Sequence, residues 1–103
     1  MDQTPHWTPR AEKRLISAMT YIALNFYPEY AVAFRNDVIE TANGIPANPE
    51  IGPEAFPGQG FPDRRKVLCR NKNWWVFYRI KRDHIDIISV KHVLQQVQTP
   101  HNL

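Results

Sequence analysis

In the C-terminal half of this chain, His92 has an imidazole whose ordinary pKa lies near neutrality, so it can act as a general acid or base. Arg64, Lys66, Arg70, Arg79 and Lys91 can set cations against a group that gains negative charge as it reacts. The plainer reading of His92 is a structural histidine spent on hydrogen bonds at the end of a strand. Cys69 lies mid-strand beside Leu68 and reads as core, not as a nucleophile. His84 and His92 are too far apart along a strand to form a local pair of ligands, and Cys69 has no nearby partner in sequence. No metal and no cofactor are therefore expected.

The stretch "NKNWWVFYRIKR" (71–82) carries a second kind of chemistry, that of contact. A strand with one face in water should alternate apolar and polar residues. Here Trp74, Val76, Tyr78 and Ile80 share one face and suit a core, while Trp75, Phe77 and Arg79 share the other. Aromatics with arginine are enriched where proteins meet partners. The alternative for Phe77 is cover from within the chain, by the Pro-rich segment or the tail. On the preceding strand Lys66, Leu68 and Arg70 alternate against Val67 and Cys69, so Arg79 has basic company.

These residues need elements to hold them. "WTPRAEKRLISAMTYIALNF" predicts a helix, with Thr8 as its cap, Pro9 in its first turn and Leu15, Met19, Ile22 and Phe26 as its apolar stripe. Pro28 opens a second helix, "PEYAVAFRNDVIETAN", with the stripe Ala31, Phe34, Val38 and Ala42 and with Ile39 beside it. Asn43-Gly44 stops it. A link this short predicts an antiparallel hairpin over about 8–43. Residues 44–63 hold five of the nine prolines and all four glycines, which excludes a regular element. Ile45, Ile51, Phe56 and Phe61 can pin this loop to the core. Short polar turns between "RRKVLCR", "WWVFYRIK" and "IDIISV" predict an antiparallel meander over about 64–93. The tail, 94–103, is polar and is expected to fray. "DQTPHW" can add an edge strand, although Pro5 weighs against it. The expected fold is α+β: a helical hairpin on a small twisted antiparallel sheet of three to four strands, in a single domain spanning 1–103.

The chain has 103 residues, 43% of them hydrophobic, and is expected to fold as one domain. The net charge of +3 is unevenly placed. Residues 1–62 hold 4 basic and 7 acidic side chains, a net of −3; residues 63–103 hold 9 and 3, a net of +6. A positive surface on the C-terminal half suits a nucleic acid or an acidic protein, or is simply a solvated basic face. No stretch approaches the roughly 20 apolar residues of a membrane span. The N-terminus lacks the apolar core of a signal peptide, and with one cysteine no internal disulfide forms. A cytoplasmic protein is expected.

The order of these elements, with "WTPRAEKRL" (7–15), "NPEIG" (48–52), "WVFYRI" (75–80) and "IDIISVKH" (85–92), resembles the ParE/RelE toxin superfamily of type II toxin–antitoxin systems, the ParE branch (plasmid-stabilisation proteins) more closely. The resemblance runs from about Trp7 to about Val93. It implies a toxin neutralised by a cognate ParD-like antitoxin whose C-terminal segment wraps it, with Trp75 and Phe77 as antitoxin contacts. ParE proteins act on DNA gyrase and stall it on cleaved DNA. That target implies binding in place of chemistry, through Arg64, Arg65, Lys66, Arg70, Arg79 and Lys91. RelE proteins cut mRNA on the ribosome, and for that alternative His92 is the candidate catalytic residue. The chain departs from both patterns. "VLQQVQ" follows His92 where ParE-like chains often carry a Gly-Arg-Arg-like run, and no tyrosine follows Tyr78. A third reading is therefore an inactive homologue that only binds an antitoxin.

Overall fold

The computed structural model describes residues 4–103. In chain order its elements are β1 (His6–Trp7), α1 (Pro9–Asn25), α2 (Pro28–Asn43), β2 (Arg64–Leu68), β3 (Trp74–Ile80) and β4 (Ile85–His92), then a short 3-10 turn, Pro100–Asn102. The strands form one sheet in the order β1-β4-β3-β2, with the two helices packed on one face. The protein is thus α+β, with two helices on a four-stranded sheet.

Thr8 does three things at the start of α1. Its hydroxyl accepts from Ala11 N (3.2 Å) and donates to Ile87 O (2.9 Å), while its own N–H donates to the same carbonyl at 3.1 Å. One residue therefore caps the helix and fastens it to β4. The buried stripe of α1 is Ala11, Leu15 and Ala18, with Met19 and Ile22 partly buried. Phe26 lies beyond the last turn and is exposed, so the stripe ends one turn before the expected residue. In α2 the buried residues are Ala31, Phe34, Val38 and Ala42, the expected set. Phe34 meets the Trp74 ring at 4.8 Å. Asp37 on the same helix accepts from the backbone N–H groups of Arg70 and Asn71, which fixes the turn between β2 and β3.

The sheet departs from the expected all-antiparallel form. β2–β3 and β3–β4 are antiparallel, but β1 joins β4 in parallel, with His6 opposite Asp86 and Trp7 opposite Ile87. Pro5 is tolerated because this two-residue strand is an edge. A register shift between Phe77 and Tyr78 bends the middle of the sheet.

The loop 44–63 is packed along β2. Ala55 N donates to Arg64 O (2.9 Å) and Lys66 N to Pro53 O (3.1 Å). Ile45 and Phe56 are buried and Phe61 is partly buried, as expected; Ile51 is exposed and pins nothing. The "NPEIG" stretch has a structural task. Tyr78 Oη donates to Pro49 O at 2.6 Å and accepts from Gly52 N at 3.1 Å. Gly52 has no room for a side chain, since a Cβ there would lie 2.1 Å from Lys66 O.

The tail does not fray. Leu103 is 3% exposed and packs with Phe56 and Phe77 in a second, smaller apolar cluster on the sheet face opposite the helices. Arg14 Nε and Nη2 donate to Leu103 O at 3.2 and 3.0 Å, and Gln59 Nε2 donates to Gln98 O at 2.8 Å. Val97 and Leu103 are apolar exceptions in a polar segment, and they are the residues that dock.

Candidate functional site

Alternation along β3 gives the sheet an inner face against the helices and an outer face, and the candidate residues divide between them. On the outer face Arg64 is directly opposite Arg79, Lys66 opposite Phe77, and Trp75 opposite both Leu68 and Lys91. Asp63 lies between the two arginines. Arg79 Nε donates to its Oδ2 at 2.8 Å, and Arg64 Nη1 donates to Oδ1 at 2.9 Å and Oδ2 at 3.0 Å. Burial alone would push the Asp63 carboxyl up. The hydrogen bonds from Arg64 and Arg79 outweigh it and hold the pKa below the usual carboxylate value. Two guanidinium groups thus share one carboxylate, which leaves a net positive charge and fixed donors at the rim of a shallow groove that Arg10, Asp86 and Leu103 also line. Lys66 Nζ stands 4.5 Å from the centroid of the Trp75 ring.

Lys91 is 8% exposed and, among the described residues, has no carboxylate partner. Burial lowers its pKa, and the charges of Arg14 and Arg10 lower it further. It contributes potential, but little surface, to this face.

The centre of the outer face is closed. Phe77 is 2% exposed and stacks near Phe56 with ring centroids 6.3 Å apart. The expectation that Phe77 meets an antitoxin therefore gives way to cover by the chain's own loop and tail. Trp75 remains half-exposed at the margin.

Three expected members lie elsewhere. Arg65 is on the inner face opposite Tyr78 and donates to Gly52 O at 2.8 Å, so it buttresses the loop. Strict alternation with Val67 would have placed it there. Arg70 lies past β2 and makes an exposed 3.4 Å contact with Glu40 of α2. His92 is on the inner face opposite Trp74, whose ring it meets edge-on at 5.1 Å. His92 Nδ1 accepts from Leu94 N at 3.1 Å, and its backbone N–H donates to Gln95 Oε1 at 2.8 Å. His92 thus organises a turn, with the sheet between it and Arg64 and Arg79. Cys69 is buried, and that burial, with Asp37 adding to it, raises its thiol to about 11.

Sequence reasoning missed an apolar surface on the hairpin. Tyr21, Leu24, Phe26, Tyr27 and Tyr30 are each more than half exposed, Leu24 at 80%. Tyr21 with Phe26 and Tyr27 with Tyr30 form edge-on pairs. Two grooves run from this surface onto Trp74: one holds Tyr21, Phe26 and His92, the other Tyr30, Phe34 and Arg70. The signal was present in the sequence as aromatics at positions that the buried stripe does not use. The protein therefore carries a basic rim and an apolar hairpin on separate sides. Among the described residues, no helix is long and apolar enough to cross a membrane.

No curated protein sequence matches the chain. Among solved structures, one from the chromosomal ParDE TA system of P. aeruginosa is similar, with a TM-score of 0.71 and 19% sequence identity over 89% of this chain and 99% of that one. The family model of the ParE toxin of the type II toxin-antitoxin system, parDE, matches residues 6–97. A match that runs from β1 through β4 and past it shows that the chain belongs to the ParE toxin family.

Proposed function

We propose that this ParE-type toxin inhibits DNA gyrase in the cytoplasm by binding it through the basic rim of the outer face, and that a cognate antitoxin neutralises it by covering the apolar hairpin. The observation that carries the reading is the separation of His92 from Arg64, Lys66 and Arg79. A metal-free cut in RNA needs an acid–base group within hydrogen-bond reach of the phosphate that the cations hold. His92 is on the inner face, committed to the Leu94 N–H, while Arg64, Arg79 and Lys66 are on the outer face. That arrangement supports a surface that binds over a surface that cleaves. For the antitoxin, a chain that presents five large apolar side chains around one hairpin gains by burying them at about 25 cal/mol per Å2 of apolar area. A wrapping segment with apolar anchors for the grooves at Trp74, and a carboxylate for Arg70, fits that surface.

The test is to induce the chain alone in a bacterium and pulse-label DNA and protein synthesis. DNA synthesis is expected to stop first, and Arg64→Ala/Arg79→Ala to relieve the arrest while the purified variant stays folded and still binds its antitoxin. If translation stops first, the target is the ribosome and its mRNA, and the gyrase reading fails. If neither stops while the protein is soluble, the chain is an inactive homologue that binds only an antitoxin.

A further inference from the structure

The edge where β1 meets β4 brings together residues separated by most of the chain. His84 immediately precedes β4 and Asp86 is the second residue of it, and the two side chains meet on one side of the chain. Parallel pairing then sets His6 opposite Asp86. Among the described residues these three form a group whose ligand atoms all lie within 4.8 Å of one another. His84 Nε2 is 3.1 Å from Asp86 Oδ1, near the roughly 3.3 Å edge of a tetrahedron built on zinc bonds of about 2.0–2.1 Å. The His6 ring stacks on His84 with centroids 4.4 Å apart, which holds the two imidazoles side by side; both rings must turn for their nitrogens to meet one ion.

A second observation points the same way. His84 Nδ1 is 2.6 Å from Asp83 Oδ1. A metal-bound histidine usually gives its other ring N–H to a carboxylate, which fixes the ring and strengthens the ligand. Asp83 is in that position, and it leaves Nε2 as the nitrogen that faces Asp86. Sequence order hides the group, because His6 lies far from the other two.

We propose that His6, His84 and Asp86 bind a zinc ion at the β1–β4 edge, oriented by Asp83, and that the ion clamps the N-terminal strand to the sheet. Two imidazole nitrogens and one carboxylate oxygen suit Zn2+, with solvent as the fourth ligand. Binding replaces the proton at His84 Nε2 with the metal and releases it to solvent, while the Nδ1 proton stays on the hydrogen bond to Asp83. Asp86 is directly opposite Arg79 and shares a groove with it and Arg64, so zinc binding is read from the metal and from melting, not from toxin activity.

The test is calorimetric titration of the full chain with zinc chloride alone, after treatment with a chelator, beside thermal melts with and without the metal. One equivalent is expected to bind and to raise the melting temperature. His84→Ala is expected to abolish both effects, Asp83→Asn to weaken affinity about 10–100-fold, and His101→Ala, in the tail, to change neither. The Asp83 variant removes no ligand, so it decides the matter should His84→Ala unfold. No binding by the parent chain, or binding that survives unchanged in both His84→Ala and Asp83→Asn, overturns the site.

Discussion

A lysine that is almost buried beside two arginines, with no carboxylate partner among the described residues, is a cost to the fold that Lys91 bears in its ordinary charged form. Unfolded, it keeps its proton to about pH 10.4; folded, it gives it up earlier. Below the folded pKa both states carry the charge, and the fold carries the full penalty. Between the folded and unfolded values the folded chain has released the proton, so stability from this group rises with pH. Lys91→Met keeps the length of the side chain and removes the charge. The variant is expected to be the more stable of the two at neutral pH, by a margin that narrows as the pH approaches 10.4. Urea denaturation of both proteins at neutral and alkaline pH measures the margin, and a parent at least as stable as the variant at neutral pH refutes it. Tyr78 shows the opposite economy. Its hydroxyl is satisfied on both sides, by Pro49 O and Gly52 N, and burial raises its pKa. The aromatic body of Tyr78 was legible in the sequence as core. Its polar tip was not, because the partners lie 26 and 29 positions away in a loop without periodicity.

At the scale of elements, what the sequence announced were the units that depend on local pattern: both helices with their prolines, the stripe of α2, and the three-strand meander. What it did not announce were the contacts made across long separations. β1 pairs in parallel with β4, and Thr8 continues the pairing by donating to Ile87 O; no period of two residues reveals the direction of a two-residue strand. The tail docks because Val97 and Leu103 fill a space over Phe77, a match of shape that a polar average conceals. The basic rim was legible in part. Alternation brings Lys66, Arg79 and Trp75 to one face, but only the register sets Arg64 against Arg79 and turns His92 away. The two apolar clusters should differ in weight. Phe34→Ala, in the hairpin cluster, is expected to cost about 3–5 kcal/mol, as buried phenylalanine truncations do. Leu103→Ala, in the smaller cluster beneath the tail, is expected to fall nearer the lower end of the roughly 2–5 kcal/mol range for leucine, because a surface segment can settle into the space left. Chemical denaturation of both variants checks the order, and an equal or larger loss at Leu103 would show that the outer cluster is as rigid as the core.

Taken whole, the molecule separates its two kinds of surface. The basic rim depends on charge, with Arg64, Arg79 and Lys66 supplying it and Asp63 holding the arginines in place. The hairpin depends on apolar area, through Tyr21, Leu24, Phe26, Tyr27 and Tyr30. Salt distinguishes the two. Raising KCl from about 0.1 to 1 M shortens the Debye length from about 10 to 3 Å, which weakens attraction between exposed charges and leaves apolar burial nearly untouched. Binding to purified gyrase is therefore expected to weaken steeply across that range, while the antitoxin complex holds. Arg64→Ala/Arg79→Ala is expected to lower gyrase affinity at low salt and to flatten its salt dependence, since the charges that salt screens are already gone. Fluorescence anisotropy of labelled toxin against each partner reads both slopes. A double variant that keeps the parent's slope for gyrase would mean that the target contacts other cations of the chain, and the candidates would then be Arg10, Lys13 and Arg14 at the start of α1, which line the neighbouring groove.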